Sequence, residues 1–255
     1  YYFNGISGFL NIPGNAFSFS IEMSVAFWIK PETTQNSWAS LINKYIPGSE
    51  GWGIAQVSNS NNYYNFFYLH SVGNVQSTNG VQLNASVWSH VAFVKGKTSI
   101  NTYVNGLVAD TFSNAPGAII SSNTTDLRFG GGTIFNGTLD NIYIHERALT
   151  DSEVFLLYSF DTAKPTGFPT SFPSGQPTSQ PTKHLSSSLK NSLVAYYPFD
   201  GNANDHRLRQ ISTAGTGDIK FQNGDIFAKS INIGGTGATE FAAFDSGAGS
   251  TFKFT

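Results

Sequence analysis

Cysteine is absent from the 255 residues, which excludes disulfides, thiolate metal sites and a cysteine nucleophile. Methionine occurs once, at Met23. The sequence therefore does not open on an initiator residue, and with no secretory leader at its start it is expected to be a mature or trimmed segment. Charged residues are scarce, 12% with a net charge of −2. That leaves neither the basic surface that nucleic acid requires nor an acidic tract that would seek a basic partner. No apolar run reaches the ~18 residues of a membrane span. Paired carboxylates on one strand, which would flank a glycosidic bond, are missing as well: Glu22, Glu32, Glu50, Asp126, Asp140, Glu146 and Asp151 show no such alternation. The histidines (70, 90, 145, 184 and 206) are scattered without metal-ligand spacing, and His90, inside an apolar strand, is expected to be structural. Gly130-Gly131-Gly132 and Gly235-Thr236-Gly237 do not lie between a strand and a helix and read as turns, not phosphate loops. No catalytic residue is assigned, and the chain is expected not to be an enzyme.

What the chain has is aromatic and β-branched residues in short alternating runs, punctuated by glycine and asparagine. Trp88, Val91 and Phe93 alternate with small or polar residues; Ile100, Tyr103 and Val104 continue after a break at Lys95-Gly96-Lys97 and close on Asn105-Gly106. Period-two runs are the mark of half-buried strands, and Asn-Gly favours a tight turn because both residues tolerate positive φ. Further strands are expected around Phe3, at Phe9–Ile12, Phe17–Ile21, Val25–Pro31, Leu41–Lys44, Gly51–Ala55, Tyr63–Leu69, Asp126–Gly131 and Phe135–Ile144. Thr150-x-x-Glu153 is a capping box and predicts one short helix, about Asp151 to Tyr158.

The ordered set Val25–Pro31, Leu41–Lys44, Gly51–Ala55, Trp88–Val94, Tyr103–Gly106, Asp126–Gly131, Phe135–Ile144 and Arg147–Val154 resembles the motifs of the laminin-G-like, concanavalin A-like jelly-roll domains. The resemblance covers roughly residues 1–160 and implies an all-β, antiparallel sandwich with a short C-terminal helix. From Lys164 to Lys183 the composition changes: Pro165, Pro169, Pro173, Pro177 and Pro181 recur every fourth residue with Ser or Thr beside each. Such a segment builds no core and reads as an extended, polyproline-like spacer. It resembles the Pro-Thr repeats of large algal and other protist surface proteins. Beyond it, Leu193–Asp205 resembles the first strand of the same domain family, and Phe227–Gly235 resembles Tyr1–Gly5. The expected organisation is a sandwich at 1–160 lacking its first strand, a spacer at 161–190, and the opening quarter of a second sandwich at 191–255. A strand of the type the first repeat lacks thus lies beyond the spacer, where it is able to complete a neighbour.

Several sites follow. The resemblance implies one structural Ca²⁺, for which Asp140 is the candidate ligand. The alternative for Asp140 is a carboxylate bonding backbone amides at a strand end. Sequons at Asn84, Asn123 and Asn136 are candidate N-glycosylation sites. Thr166, Thr170, Ser171, Ser174, Thr178, Ser179 and Thr182 are candidate O-glycosylation sites in the spacer. Trp52, Tyr64 and Tyr68 are candidates for stacking on sugar rings, with alternation requiring half of this aromatic cluster to be core. The leading functional reading is a non-enzymatic extracellular structural or adhesive protein of tandem repeats, partnered by neighbouring repeats or copies of itself and assembled head to tail into a cell-surface filament. A carbohydrate-binding lectin-type module is the alternative. A jelly-roll glycoside hydrolase or lyase is a minor one.

Overall fold

The computed structural model describes residues 2–198, apart from 7–8, 14–20, 48, 58–61, 72–73, 114, 116, 118, 120–124, 131–132 and 163–186, together with 213–214, 219–222 and 230–233. The expected strand at Phe17–Ile21 therefore falls, but for Ile21, outside the described residues, as do Asn123 and all seven O-glycosylation candidates.

In chain order the elements are β1 (Tyr2–Asn4), β2 (Leu10–Ile12), β3 (Met23–Pro31), β4 (Ser40–Ile46), β5 (Glu50–Gln56), β6 (Tyr63–Ser71), β7 (Asn74–Ser77), β8 (Val81–Gln82), β9 (Ser89–Lys95), β10 (Ile100–Val104), β11 (Leu107–Phe112), β12 (Leu127–Phe129) and β13 (Asn136–His145). Then come α1 (Asp151–Thr162), α2 (Ser187–Ser192), β14 (Leu193–Tyr197), β15 (Thr213–Ala214), β16 (Ile219–Gln222) and β17 (Ser230–Ile233). They form two sheets. One runs β11-β10-β9-β3-β13-β1-β17-β16, with β14 also on β13; the other runs β15-β2-β12-β4-β5-β6-β7, with β8 also on β6. Apart from the parallel pairing of β1 with β17, every ladder is antiparallel, as expected of a jelly-roll sandwich.

The central strands read as they do because both of their faces are covered. Met23, Val25, Phe27 and Ile29 of β3, with Val91 and Phe93 of β9, enter the core between the sheets. Ala26 of β3, and Ala92 and Val94 of β9, face outward into a second apolar cluster beneath the helices. A strand covered on both sides loses simple alternation and becomes a continuous apolar run, here Val25-Ala26-Phe27-Trp28-Ile29. The helix begins where the capping box places it. Thr150 N–H donates to Glu153 Oε2 (3.0 Å), and Glu153 N–H donates back to Thr150 Oγ1 (3.3 Å). It then runs past Tyr158 to Thr162, burying Val154 and Leu157 against Tyr103 and Tyr143. Asn105 and Gly106 take φ of 51° and 79°, the mirror-image turn that matches strand twist. The turn is pinned to β9, since Asn105 N–H donates to the His90 carbonyl (2.8 Å) and Asn105 Oδ1 accepts from the His90 N–H (2.9 Å).

Candidate functional site

The part of the molecule with the most unusual construction is the free side of β13. β3 occupies one side of that strand throughout. On the other side β1 pairs with Asn136–Thr138, and the space beside Ile142–His145 is filled by β14, from beyond the spacer. The pairing sets Tyr197 opposite Ile142, Tyr196 opposite Tyr143 and Ala195 opposite Ile144, then shifts so that Leu193 faces His145. Both faces of β14 are used. Val194, Ala195 and Tyr197 join the core between the sheets, while Leu193 and Tyr196 join the outer cluster with Leu189 of α2. Tyr197 meets the Phe129 ring edge to face at 5.0 Å, and Tyr196 stacks on Tyr143 at 4.4 Å with the planes 9° apart. Polar contacts fix the register. Glu146 N–H donates to the Ser192 carbonyl (3.1 Å), His145 Nδ1 and Ser192 Oγ lie 3.1 Å apart, and Tyr196 Oη donates to Asn141 Oδ1 (3.0 Å). Arg147 grips Glu153 through two bonds of 2.7 and 2.6 Å, and Ser188 of α2 bonds both partners. These bonds, those from Arg147 first, hold the Glu153 carboxyl down at about 2.

Asp140 sits at an irregularity in this same strand. The pairing with β3 slips between Asp140 and Tyr143, and Asn141 adopts φ of 44°, the left-handed conformation that asparagine tolerates. The Asp140 carboxylate, 1% exposed, accepts the Asn141 N–H at 3.0 Å. Among the described residues no three His, Cys, Asp or Glu side chains gather at one point. Asn141 shapes the bulge and accepts the Tyr196 hydroxyl.

The proposed sugar-stacking residues are placed inside. Trp52, Tyr64 and Tyr68 are 0%, 1% and 0% exposed, because the inward face of β5 and β6 carries Trp52, Ile54, Tyr64, Phe66 and Tyr68 together. Trp52 stacks on Phe66 at 6.1 Å, Tyr64 meets Phe135 at 6.2 Å, and the Tyr68 ring is covered by Lys95 Nζ at 4.9 Å. No ring face is left for a sugar, and burial lifts the Tyr68 hydroxyl to about 12. The outward side of the same strands carries Tyr63 and Phe67, both half-buried, with Tyr45 edge-on to Phe67 at 5.0 Å. A sequence signal for this orientation exists in Gly53. A Cβ there would lie 2.6 Å from Phe67 Cζ, so a glycine opposite Phe67 marks the face on which that ring lies flat. Lys44 and Lys95 also point inward, each 1% exposed; Lys44 Nζ donates to the Thr125 carbonyl and Lys95 Nζ to the Gly96 carbonyl (2.9 Å). Desolvation lowers both ammonium pKa values.

A family model for the concanavalin A-like lectin/glucanases superfamily matches residues 4–155, more than half of the chain. The chain belongs to this superfamily. No curated protein matches its sequence. Solved structures similar to it include the binding domain of botulinum neurotoxin serotype G (17% identity, TM-score 0.48), where the match takes in 56% of this chain and 37% of that one. Another is domain 4 of AbnA, a GH43 extracellular arabinanase from Geobacillus stearothermophilus in complex with arabinotriose (22%, 0.49), covering 62% and 75%. A third is the native heptameric SAP-like pentraxin from Limulus polyphemus (16%, 0.46), covering 64% and 83%.

At the end of this lectin/glucanase sandwich where β3 meets the start of β13, the loops are braced by amides. Gln35 Nε2 donates to the Glu32 carbonyl and its Oε1 accepts from Asn136 N–H; Asn36 Nδ2 reaches the Gly5 and Ile134 carbonyls at 2.7 Å each. On this braced turn, two residues before β4, Trp38 takes φ of 59° and stays 56% exposed. The sequon residue Asn136 is a brace too, donating through Nδ2 to the Thr34 carbonyl (3.1 Å). A glycan on that nitrogen would replace one of its two hydrogens and leave a single N–H for this bond. Asn84, by contrast, is exposed between β8 and β9. His90 is fully buried on the outer face of β9, between Trp28 (5.5 Å) and Tyr158 (5.9 Å), and among the described residues neither ring nitrogen has a hydrogen-bond partner. Desolvation drives its pKa down to about 3, so the ring is neutral and packs as an aromatic, in line with a structural role.

Proposed function

We propose that the chain is a non-enzymatic extracellular structural or adhesive protein, built from tandem laminin-G-like sandwiches joined by Ser/Thr-glycosylated Pro-Thr spacers. The observation that carries this reading is the seating of β14 on β13. The folded unit takes residues from both sides of the spacer, which supports reading the spacer as a coupler and not only a separator. The exposed sequon at Asn84 and the Ser or Thr beside each spacer proline support a secreted, glycosylated location. Immunogold labelling of intact source cells, with glycopeptide mapping of the purified chain, tests the reading. Label on extracellular material and sugar on the spacer threonines are the expected results; unmodified peptide and label confined to the cell interior would remove it.

A lectin-type role is the second reading, supported by Trp38. An exposed indole on a braced, left-handed turn is the arrangement that offers a flat apolar face to a sugar ring without an ordering cost. A glycan array compares the chain with Trp38→Ala: a saccharide signal lost in the variant favours this reading, and a blank array from both removes it.

A further inference from the structure

The polar contacts of Ser188 fix where the second half of the unit begins. Its hydroxyl lies 2.9 Å from Glu153 Oε1 and 2.7 Å from Arg147 Nη2, at the first turn of α1. Since α1 ends at Thr162 and a helix rises about 1.5 Å per residue, a connection within one molecule has to span only about 15–20 Å. The connecting segment lies between 162 and 187 and carries a proline at every fourth position from Pro165 to Pro181. In the extended polyproline form that this composition favours, at about 3.1 Å per residue, it reaches roughly 70 Å. A connector several times longer than the gap is not needed to seat the strand on its own molecule, and lengthening a connector beyond the span it must cover lowers the effective concentration of its far end. The same connector reaches another molecule.

The anchors of the donated piece are Leu189, Leu193, Val194, Ala195, Tyr196 and Tyr197, and among the described residues their partners lie in β13, α1 and β12 of the acceptor; β15 and β17, which follow it and pair with β2 and β1, travel with it. A strand added to a vacant sheet edge gains the same ladder whichever copy supplies it.

We propose that Ser187–Tyr197 of one copy completes the β13 edge of a second copy, so that each molecule accepts a strand at Ile142–His145 and donates one to the next. Donor and acceptor surfaces differ, so the contact is heterologous and propagates as an open head-to-tail chain. This rests on the structural reading above and names its partner: another copy of the chain, joined through backbone pairing, the Tyr143–Tyr196 stack and the Arg147–Glu153–Ser188 clamp.

The absence of native cysteine makes the test direct. Tyr143 and Tyr196 face each other across the seam. Full-length Tyr143→Cys and Tyr196→Cys chains are unfolded together, refolded at high concentration and oxidised. Donation between copies yields a covalent dimer containing one chain of each kind, and the doubly substituted chain yields a ladder of multiples. If the doubly substituted chain cross-links at monomer mass and the mixture gives no dimer, the strand closes on its own molecule and the proposal falls. The unsubstituted chain guards against misfolded variants: refolded over a hundredfold range of concentration, it should sediment as a series of multiples that grows with concentration. A single monomeric species throughout overturns the proposal. Either outcome leaves the labelling and glycopeptide results of the structural reading untouched.

Discussion

The two outer strands β11 and β14 complete the same sheet in opposite ways. β11 is tied to β10 by the two-residue Asn105-Gly106 turn and stays open to solvent, with Leu107 68% and Val108 49% exposed. β14 follows the long spacer, and all of its residues except Tyr196 are buried. The contrast follows from closure entropy. A hairpin strand arrives beside its partner at almost no cost, so few contacts keep it there. A strand beyond a long connector must offset the larger loss of chain freedom, and burial on both faces supplies that. Packing quality is inversely related to how tightly the chain delivers the strand.

Breaking the packing of β14 should therefore have the largest effect. Tyr197→Ala removes a fully buried ring that meets Phe129 at 5.0 Å, which costs about 3–5 kcal/mol. Chemical denaturation of the full chain, followed by tryptophan fluorescence, should show the unfolding free energy falling by that amount. A loss below about 1 kcal/mol would mean that β14 is not part of the cooperative unit.

A position between the two edges separates packing from polar partnering. His90 is buried without a hydrogen-bond partner among the described residues, and burial drives its pKa down to about 3, below the value of an unfolded histidine, about 6.5. The unfolded chain binds a proton the folded one refuses, so stability is intact above pH 6.5 and falls by about 1.4 kcal/mol per pH unit as pH drops from 6.5 toward 3. His90→Phe keeps the ring between Trp28 and Tyr158 and should flatten that part of the pH profile, with stability at pH 7 changed by no more than about 1.5 kcal/mol. A profile unaltered by the substitution would place the acid sensitivity elsewhere.

The clamp beside β14 gives a smaller effect in a lower window. Glu153 is held at about 2 by its bonds to Arg147, below the 4.5 of a free glutamate. Its contribution is present above pH 4.5 and is lost as pH falls through 2. Glu153→Gln should cost about 1–2 kcal/mol at pH 7, and wild type and variant should converge as pH falls below 4.5. Because Ser188 shares the clamp, α2 and β14 should detach before the rest of the sheet in acid, seen as early cleavage after Lys190 by an acid-tolerant protease.

Most of this architecture is legible in the residues, for identifiable reasons. Asn105-Gly106 and Thr150-x-x-Glu153 carry local chemistry that leaves few alternatives, and turn and helix start appear where they indicate. The order of strands from β3 to β13 follows runs whose apolar residues have one place to go. The relation of Leu193–Tyr197 to the first sandwich is legible only as a missing strand and a matching one, since sequence does not say which edge a strand joins. β11 escapes notice because an exposed edge needs no apolar pattern, and α2 because six residues of SSLKNS have no periodicity to show. The aromatic site fails for a physical reason. Alternation sorts Tyr64 and Tyr68 from Tyr63 and Phe67 but does not say which set is inside, and a tyrosine that suits a sugar suits a core equally well.

The smallest effect should come from the exposed edge, and it makes the comparison quantitative. Val108 is half exposed at the start of β11, on a strand whose register with β10 shifts between Thr102 and Tyr103. Val108→Lys removes an apolar side chain that loses little water contact on folding, so the change should lie within about 0.5 kcal/mol. It also places a charge on an open edge, where it opposes pairing with another chain. If copies joined through β11, edge to edge, this substitution would abolish assembly and spare stability. If they join through β14, Val108→Lys should leave the sedimentation profile as it is, while Tyr197→Ala removes both assembly and several kcal/mol of stability. Sedimentation of the two variants side by side assigns the joining edge without cross-linking, because Val108→Lys touches only the exposed strand and Tyr197→Ala only the packed one.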